Sequence, residues 1–211
     1  MTIFYDDKFI EIDLLLRRGG HINRSNLASY DYVCQNFEEL QKFYGRYSCS
    51  LYQHPDGFFY MAVKGGMFRT RLLPKSCVHL GIFISLKARD PEITRSSGRV
   101  PINQLFQDIE TSVPREVLQQ VYAPNRREAI VDECILDEIK KALKILADLG
   151  FIEMTESTIR PLEAINRFAE LARYNNEPNE ESRSNLTAQR GVVFSDADEN
   201  DDESEGTTYE H

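Results

Sequence analysis

Apolar side chains recur every three or four residues along two long stretches of the chain, and this spacing predicts two amphipathic helices. The first stretch runs from Tyr32 to Tyr47, and the second runs from Ile130 to Leu149, where Gly150 follows at the position at which glycine commonly ends a helix. The predicted buried faces are Val33, Phe37, Leu40, Tyr44 and Tyr47 in the first, and Ile135, Ile139, Leu143, Leu146 and Leu149 in the second.

A pair of short runs rich in β-branched and aromatic residues follows each of these helices. The runs 48–53 and 58–63 flank a His-Pro-Asp-Gly turn, in which proline fixes φ and glycine tolerates a positive φ. The runs Phe151 to Met154 and Thr158 to Pro161 flank a Thr-Glu-Ser turn. We therefore expect a solvent-exposed hairpin after the first helix and a smaller hairpin after the second.

The remaining helical patterns complete two units of the same order. They are predicted over 9–18, Leu72 to Arg89, 101–113, 114–122 and Leu162 to Tyr174. Ser29 or Asp31 is predicted to cap the helix over Tyr32 to Tyr47. Helix, turn, helix and hairpin is the order of a winged helix. The predicted fold class is α+β, mainly helical, with tandem winged-helix domains and small β-hairpin wings. The predicted domains are residues 1–72 and 101–174, with a connecting helix and linker over 73–100.

The net charge of −9 is confined to the C-terminal end. Residues 175–211 contain 11 acidic side chains and two arginines, so the preceding 174 residues carry 23 acidic and 23 basic groups. Because this acidic tail is poor in large apolar residues, we predict that it is disordered. It serves either as a solubilising tail or as an anion that competes with nucleic acid for basic surfaces.

Basic residues cluster in two places within the neutral body. No Asp or Glu occurs between Gly57 and Arg89, and the helix predicted over 130–149 places its lysines opposite its apolar face. The candidate DNA-binding residues are Lys64, Arg69, Arg71 and Lys75 in the first cluster, and Arg126, Arg127, Lys140, Lys141 and Lys144 in the second. Lysines favour phosphate contacts over base contacts, which predicts sequence-independent binding. The alternatives are a solvated basic surface and intrahelical pairing, such as Asp137 with Lys141.

Other classes of function lack their signatures. The longest apolar runs are far shorter than the roughly 20 residues that span a bilayer, so we expect a cytoplasmic protein without a membrane segment. The four cysteines form no CxxC pair and are expected to be small buried hydrophobes, without a disulfide or zinc site. Nucleotide-binding, hydrolase and metalloprotease motifs are absent, so we expect no cofactor and no enzyme.

The segment "GGHINRSNLASYDYVCQNFEELQKFYGRYSCSLYQHPDGFFYMAV", followed by "LLPKS", resembles the MukE family, the tandem winged-helix (KITE) subunits of MukBEF-type bacterial condensins. The resemblance rests on Gly20-His21-Ile22, Phe43-Tyr44, Arg46-Tyr47 and Gly57-Phe58-Phe59-Tyr60, and it returns at Leu149-Gly150, Ile159, Arg160, Glu163, Arg167 and Phe168. Residues 80–128 depart from the family pattern and are shorter. This departure points to a smaller MksE-type relative or to the related subunit of plasmid-defence (Wadjet) systems.

The resemblance implies a non-enzymatic subunit that forms a homodimer and binds a kleisin subunit (MukF- or MksF-like). Through the kleisin it would meet an SMC ATPase (MukB- or MksB-like) and duplex DNA without sequence preference, in a nucleoid-associated complex that condenses and segregates chromosomes. The family's DNA-facing region maps onto Arg126, Arg127, Lys140, Lys141 and Lys144. The aromatics of "FYGRY" and "GFFY" are either kleisin interface or, as we favour, core. A free-standing winged-helix transcription regulator is the remaining alternative, and a weakly basic recognition helix argues against it.

Overall fold

The structure is a computed structural model that describes residues 3–64, 72–91, 98–124 and 131–174. The acidic tail and most of the predicted linker lie outside these residues. We call α1 to β2, defined below, the first unit, and α4 to α8 the second unit. Within the described residues the fold is α+β and mainly helical, as predicted.

The first unit begins with helix α1 (Asp7–Arg17), which confirms the helix predicted over 9–18. The Asp6 side chain caps its first turn by accepting from the Lys8 backbone N–H at 2.8 Å. A short 3-10 helix (Ile3–Tyr5) precedes α1. The helix ends at Arg17, shortly before Gly19, which has a φ of +81°.

The helix predicted over Tyr32 to Tyr47 is two helices, α2 (Leu27–Gln35) and α3 (Phe37–Gly45), so that prediction is wrong at Asn36. The Asn36 backbone leaves the helical region at φ −117° and ψ 20°, and its side chain donates to the Tyr32 carbonyl at 2.8 Å. This bond satisfies a carbonyl at the end of α2. The cap of α2 is Asn26, which accepts from the Ser29 N–H, and not Ser29 or Asp31.

The predicted hairpin is present as antiparallel strands β1 (Cys49–Gln53) and β2 (Phe59–Val63), paired from Cys49 with Val63 to Gln53 with Phe59. Gly57 turns the chain with a φ of +85°, which glycine adopts at little cost. An isolated bridge joins Ile22 to Phe59 on the other side of β2. The hairpin is not exposed to solvent as expected, because all of β2 except its last residue is buried.

The second unit contains the longest helix of the described residues together with four others. They are α4 (Lys75–Lys87), α5 (Ile102–Ser112), α6 (Arg115–Tyr122), α7 (Val131–Asp148) and α8 (Asn166–Tyr174). A short 3-10 helix (Glu163–Ile165) leads into α8. These bounds agree with the helical patterns in the sequence to within a few residues.

The second unit also holds a three-stranded antiparallel sheet. Strands β4 (Ile152–Met154) and β5 (Thr158–Pro161) form the predicted small hairpin, and β3 (Val100–Pro101) pairs with the outer side of β5. The strand order is therefore β3-β5-β4. The sequence analysis missed β3, because two residues are too few to show an alternating pattern.

The buried residues form two clusters, and the first hairpin contributes to both. One cluster lies inside the first unit and includes Phe59 and Met61. The other fills the second unit and includes Phe58 and Tyr60, which point away from the first cluster because successive strand residues face opposite sides. α4 contributes Cys77, Leu80 and Ile84 to this second cluster. The two units are thus packed directly against each other through β2.

Candidate nucleic-acid interface and junction of the two units

The three candidate lysines of α7 lie on its solvent face. α7 packs its apolar side against α4 and α6, and Lys140, Lys141 and Lys144 are exposed opposite it. The buried residues of the helix are Val131, Ile135, Ile139, Ala142, Leu143 and Leu146. The helical spacing read from the sequence therefore placed these lysines on the correct side of the helix.

Two of the lysines make intrahelical ion pairs. Lys140 lies 3.9 Å from Asp137 and Lys141 lies 3.8 Å from Glu138, whereas the sequence analysis considered Asp137 with Lys141. The Lys140 and Lys141 side chains remain 57% and 70% exposed, and pairs of this kind contribute at most about 1 kcal/mol. These lysines remain accessible to a polyanion. α7 nevertheless carries five acidic residues against three lysines, so its surface is not strongly basic.

Lys75 lies close to this surface. It is exposed in the first turn of α4, and the next residue, Ser76, donates from its hydroxyl to Glu138 of α7 at 2.9 Å. Glu138 is the same residue that pairs with Lys141. The structure therefore brings one residue of the first basic cluster beside the lysines of the second, although about 65 positions separate them in the chain.

Lys64 belongs to a different surface, at the base of the first hairpin. Its backbone N–H donates to the Ser48 carbonyl at 2.7 Å, which places it beside the residues that follow α3. Lys42 and Arg46 are exposed on and just after the last turn of α3. The sequence analysis did not include Lys42 or Arg46 among its candidates. The signal it missed is the four-residue spacing of Lys42 and Arg46, which places both on one side.

The other candidate residues lie outside the described part of the chain. These are Arg69 and Arg71 in the first basic cluster, and Arg126 and Arg127 ahead of α7. Their roles remain predictions.

A second constellation lies where the two units meet, and it consists of residues that carry the family resemblance. The His21 backbone N–H donates to the Leu149 carbonyl at 3.0 Å. The buried Asn23 side chain donates to the Gly150 carbonyl at 2.7 Å and accepts from the Ala164 N–H at 3.1 Å. Asn23 thereby satisfies backbone groups of the second unit on both sides of its sheet hairpin.

Gly150 is required at this junction for two reasons. Its φ is +73°, a conformation that residues with a Cβ rarely adopt. A Cβ at this position would also lie 2.7 Å from the His21 carbonyl oxygen and 3.2 Å from the Asn23 amide nitrogen. The absence of a side chain lets the loop after α1 approach the end of α7. Gly150 therefore does more than end a helix.

His21 lies at the centre of the junction and is 3% exposed. Its Nδ1 is 2.9 Å from the Leu149 carbonyl, and its Nε2 is 2.6 Å from Nη1 of Arg167 on α8. The Arg167 guanidinium lies over the Tyr60 ring, 4.3 Å from its centroid. Burial and the positive charge of Arg167 hold the pKa of His21 well below its usual value. His21 is thus a neutral, hydrogen-bonded residue.

The first hairpin's turn closes the same junction from outside. The Asn166 amide donates to Asp56 at 3.0 Å, and His54 lies 3.6 Å from Glu170 while stacking on Phe58. The junction therefore contacts α8 through the hairpin turn as well as through the loop that holds His21.

Most aromatics of "FYGRY" and "GFFY" are core, as favoured from the sequence. Tyr44, Phe58, Phe59 and Tyr60 are buried, whereas Tyr47 is 37% exposed. The structure adds that Phe58 and Tyr60 pack in the second unit's cluster. Their burial joins the units, a role that periodicity within one domain could not reveal.

Other chemistry is sparse in the described residues. Residues 3–64, 72–91, 98–124 and 131–174 contain no group of three or more His, Cys, Asp or Glu side chains that could hold a metal ion. A cavity of about 480 Å³ lies between Arg24, Arg160 and Glu163. Cys49 and Cys77 are buried as predicted, whereas Cys34 is exposed, which the sequence analysis did not expect. No helix of the described chain is long and apolar enough to cross a membrane.

Comparison with known proteins agrees with the resemblance seen in the sequence. A family model described as "Condensin complex protein MksE" matches residues 7–173, from α1 into the last turn of α8. The chain is 27% identical over 176 residues to the chromosome partition protein MukE of Aliivibrio salmonicida (strain LFI1238), covering 82% of this chain and 74% of that protein.

Further MukE proteins match over similar lengths. The chromosome partition protein MukE of Escherichia coli (strain K12) is 27% identical over 184 residues, covering 83% of this chain and 77% of that protein. The chromosome partition protein MukE of Shigella flexneri is also 27% identical over 184 residues, covering 83% and 80%. Because the family model matches well over half of its residues, the chain belongs to the MksE family of condensin complex proteins.

Proposed function

We propose that this protein is an accessory subunit of a condensin-type complex that serves chromosome partition. The observation that carries the proposal is the family match over residues 7–173, which includes both units and the junction between them. The names of the related MukE proteins, chromosome partition proteins, support the same role. In this proposal the subunit is not an enzyme and contributes binding surfaces to the complex, which acts on the nucleoid in the cytoplasm.

We further propose that each unit is a winged helix. In the first unit the helix α1, the bridge at Ile22, two helices and a hairpin follow one another, and Ile22 pairs with the second hairpin strand. In the second unit the order is α4, β3, further helices and a hairpin, and β3 also pairs with the second hairpin strand. The matching order supports a tandem fold. The packing of α4 in the second cluster favours assigning it to the second domain, so that residues 1–72 and 73–174 form the two domains.

The partners follow from the family. We propose that the subunit forms a homodimer and binds a kleisin, and that the kleisin connects it to an SMC ATPase. Exposed apolar side chains at the N-terminal end support a protein interface there, since Ile10 and Leu14 of α1 are 51% and 49% exposed and lie on one side of the helix at four-residue spacing.

DNA contact in this proposal is electrostatic and independent of sequence. Lys140, Lys141 and Lys144 of α7, with Lys75 beside them, form one phosphate-facing surface, which Arg126 and Arg127 would extend. Lys64, Arg69 and Arg71 belong to the surface at the base of the first hairpin, where Lys42 and Arg46 add two cations. A lysine side chain binds phosphate as a point charge and reads no base sequence by itself.

Co-purification with the kleisin and SMC subunits of the same genome tests the proposal, with masses measured by light scattering. We expect a stable complex that contains two copies of this chain per kleisin. The paired substitutions Ile10→Glu and Leu14→Glu should weaken self-association or kleisin binding, whereas Glu11→Gln, on an exposed polar position of the same helix, should not. A protein that does not bind the kleisin and that binds one DNA operator tightly at physiological salt would instead be a transcription regulator.

A further inference from the structure

We propose that His21 is a proton-sensitive latch, which holds the first unit against the second while neutral and releases it when protonated. The inference is independent of the proposed function, because it rests on the hydrogen bonds of the junction. It assigns a conformational role to a residue that otherwise serves only the packing of a turn.

The position of the proton on His21 follows from its two partners. The Leu149 carbonyl oxygen can only accept a hydrogen bond, so Nδ1, 2.9 Å away, carries the proton and donates it. The Arg167 guanidinium can only donate, so Nε2, 2.6 Å away, presents its lone pair. A neutral imidazole with its proton on Nδ1 satisfies both contacts. A second proton on Nε2 would place two N–H donors and two positive charges against each other.

Neither partner of the imidazole nitrogens compensates that second charge, since one is a neutral carbonyl and the other is a cation. The ionisable groups around the junction are Arg167 and Glu170 from α8, Glu163 from the 3-10 helix before α8, His54 and Asp56 from the hairpin turn, and Tyr60 from β2. Residues 149–151 are Leu, Gly and Phe and add none. Glu170 lies 3.6 Å from His54, and Asp56 accepts from Asn166. Aromatic rings cover the remaining faces, with Phe151 at 4.3 Å and Phe58 at 5.7 Å between centroids.

The direction of the effect follows from proton linkage. In the closed junction the pKa of His21 is held well below its usual value, first by burial and then by Arg167. In the open junction it returns towards the ordinary value of about 6.5. Opening therefore takes up a proton, and the opening constant is unaffected above about pH 6.5 and rises by up to tenfold per pH unit below it.

Histidine titration by NMR on the full chain tests the proton assignment with His21 itself unchanged. The chain has four histidines, His21, His54, His79 and His211, and the signals can be assigned with His54→Asn and His79→Asn. We expect one signal with the Nδ1–H tautomer and a midpoint below the ordinary histidine range. An Nε2–H tautomer for His21, or a midpoint at or above that range, would overturn the proposal.

Hydrogen exchange measured by mass spectrometry between pH 7.5 and 5.5 tests the release itself. After correction for the intrinsic exchange rate, peptides containing the His21 and Ala164 amides should lose protection by up to about tenfold over the last pH unit. The β1–β2 ladder around Leu51 and Met61 should keep its protection. His21→Asn should remove the pH dependence, whereas the matched variant His54→Asn should retain it. Parallel loss of protection in ladder and junction, or a pH dependence that survives His21→Asn, would show that no latch exists.

Discussion

The two hairpins follow their helices in the same order but occupy opposite environments. Four of the five residues of β2 in the first unit are buried, and the strand contributes to both core clusters. The second hairpin has short strands, and its turn residues Thr155, Glu156 and Ser157 are all exposed. The same local order thus builds a structural connector in one unit and a hairpin with a solvent-exposed turn in the other. The comparison shows that the second strand of the first hairpin is mostly buried, whereas the turn of the second hairpin is exposed to solvent.

The largest expected loss of stability comes from replacing the buried residues through which the first hairpin connects the two units. Phe58→Ala and Phe59→Ala should each lower the free energy of unfolding by about 3–5 kcal/mol, because both side chains are fully buried. Denaturant unfolding measures this loss. Glu156→Ala in the second hairpin is the control, and its effect should remain within about 0.5 kcal/mol because the residue is exposed.

The two phenylalanines should differ in where they act. Hydrogen exchange in Phe58→Ala should show lost protection in α4 and α8 of the second unit, whereas Phe59→Ala should affect α1 and α3 of the first. Identical exchange patterns in the two variants would contradict the division of β2 between two cores.

Gly150→Ala should rank next, with a loss of about 2–4 kcal/mol in the free energy of unfolding. The substitution combines a strained positive φ with a Cβ placed 2.7 Å from the His21 carbonyl oxygen. Gly45→Ala is the matched control, since Gly45 is the last residue of α3 and a Cβ there would meet no atom within 4 Å. Thermal and denaturant unfolding should show a near-neutral control. Equal losses in the two variants would mean that the close approach at the junction is not required.

Asn23→Ala should cost about 2–3 kcal/mol, because it leaves the Gly150 carbonyl and the Ala164 N–H in the buried junction without their partner. Asn36→Ala is its control within one unit. The Asn36 side chain donates to a single carbonyl, that of Tyr32 in α2, so about 1 kcal/mol is expected there. Denaturant unfolding of both variants compares a hydrogen bond between units with one inside a unit. A smaller loss in the free energy of unfolding for Asn23→Ala than for Asn36→Ala would contradict this prediction.

The sequence predicted the parts of this fold that repeat along the chain. Apolar spacing located α1 and α7 and placed the α7 lysines on the solvent face, and β-branched and aromatic runs flanking turn residues located both hairpins. It failed at Asn36, because the apolar stripe continues across the break while the backbone does not. The near-continuous apolar run "FFYMAV" did carry a signal for burial on both faces, since a strand exposed on one side alternates instead.

The junction could not be predicted from periodicity. His21 and Leu149 are 128 positions apart, and their contact depends on how two units pack, which no local pattern encodes. The available signal was of another kind. His21 and Arg167 occur in the motifs that carry the family resemblance, and neither is explained by a helix face or a strand face. Motif residues without a local structural reason were therefore the best indication of a tertiary contact.

The smallest effect on stability, and the sharpest test of which unit meets DNA, concerns the two basic surfaces. Replacing Lys140, Lys141 and Lys144 with glutamine should change the free energy of unfolding by less than about 0.5 kcal/mol, because all three side chains are exposed. It should weaken DNA binding and reduce the slope of log K against log salt by about 0.9 for each phosphate contact removed.

The matched variant replaces Lys42 and Arg46 at the end of α3, which removes two cations instead of three. Fluorescence anisotropy with duplexes of unrelated sequence, at several salt concentrations, measures both slopes in the assembled complex. A larger reduction for the α7 variant would assign the DNA-facing surface to the second unit, in line with its exposed hairpin. A larger reduction for the α3 variant would move that surface to the base of the first hairpin, where the connector and Lys64 lie together. Slopes unchanged in both variants would contradict DNA contact by either described surface, because removing a phosphate contact must reduce counterion release.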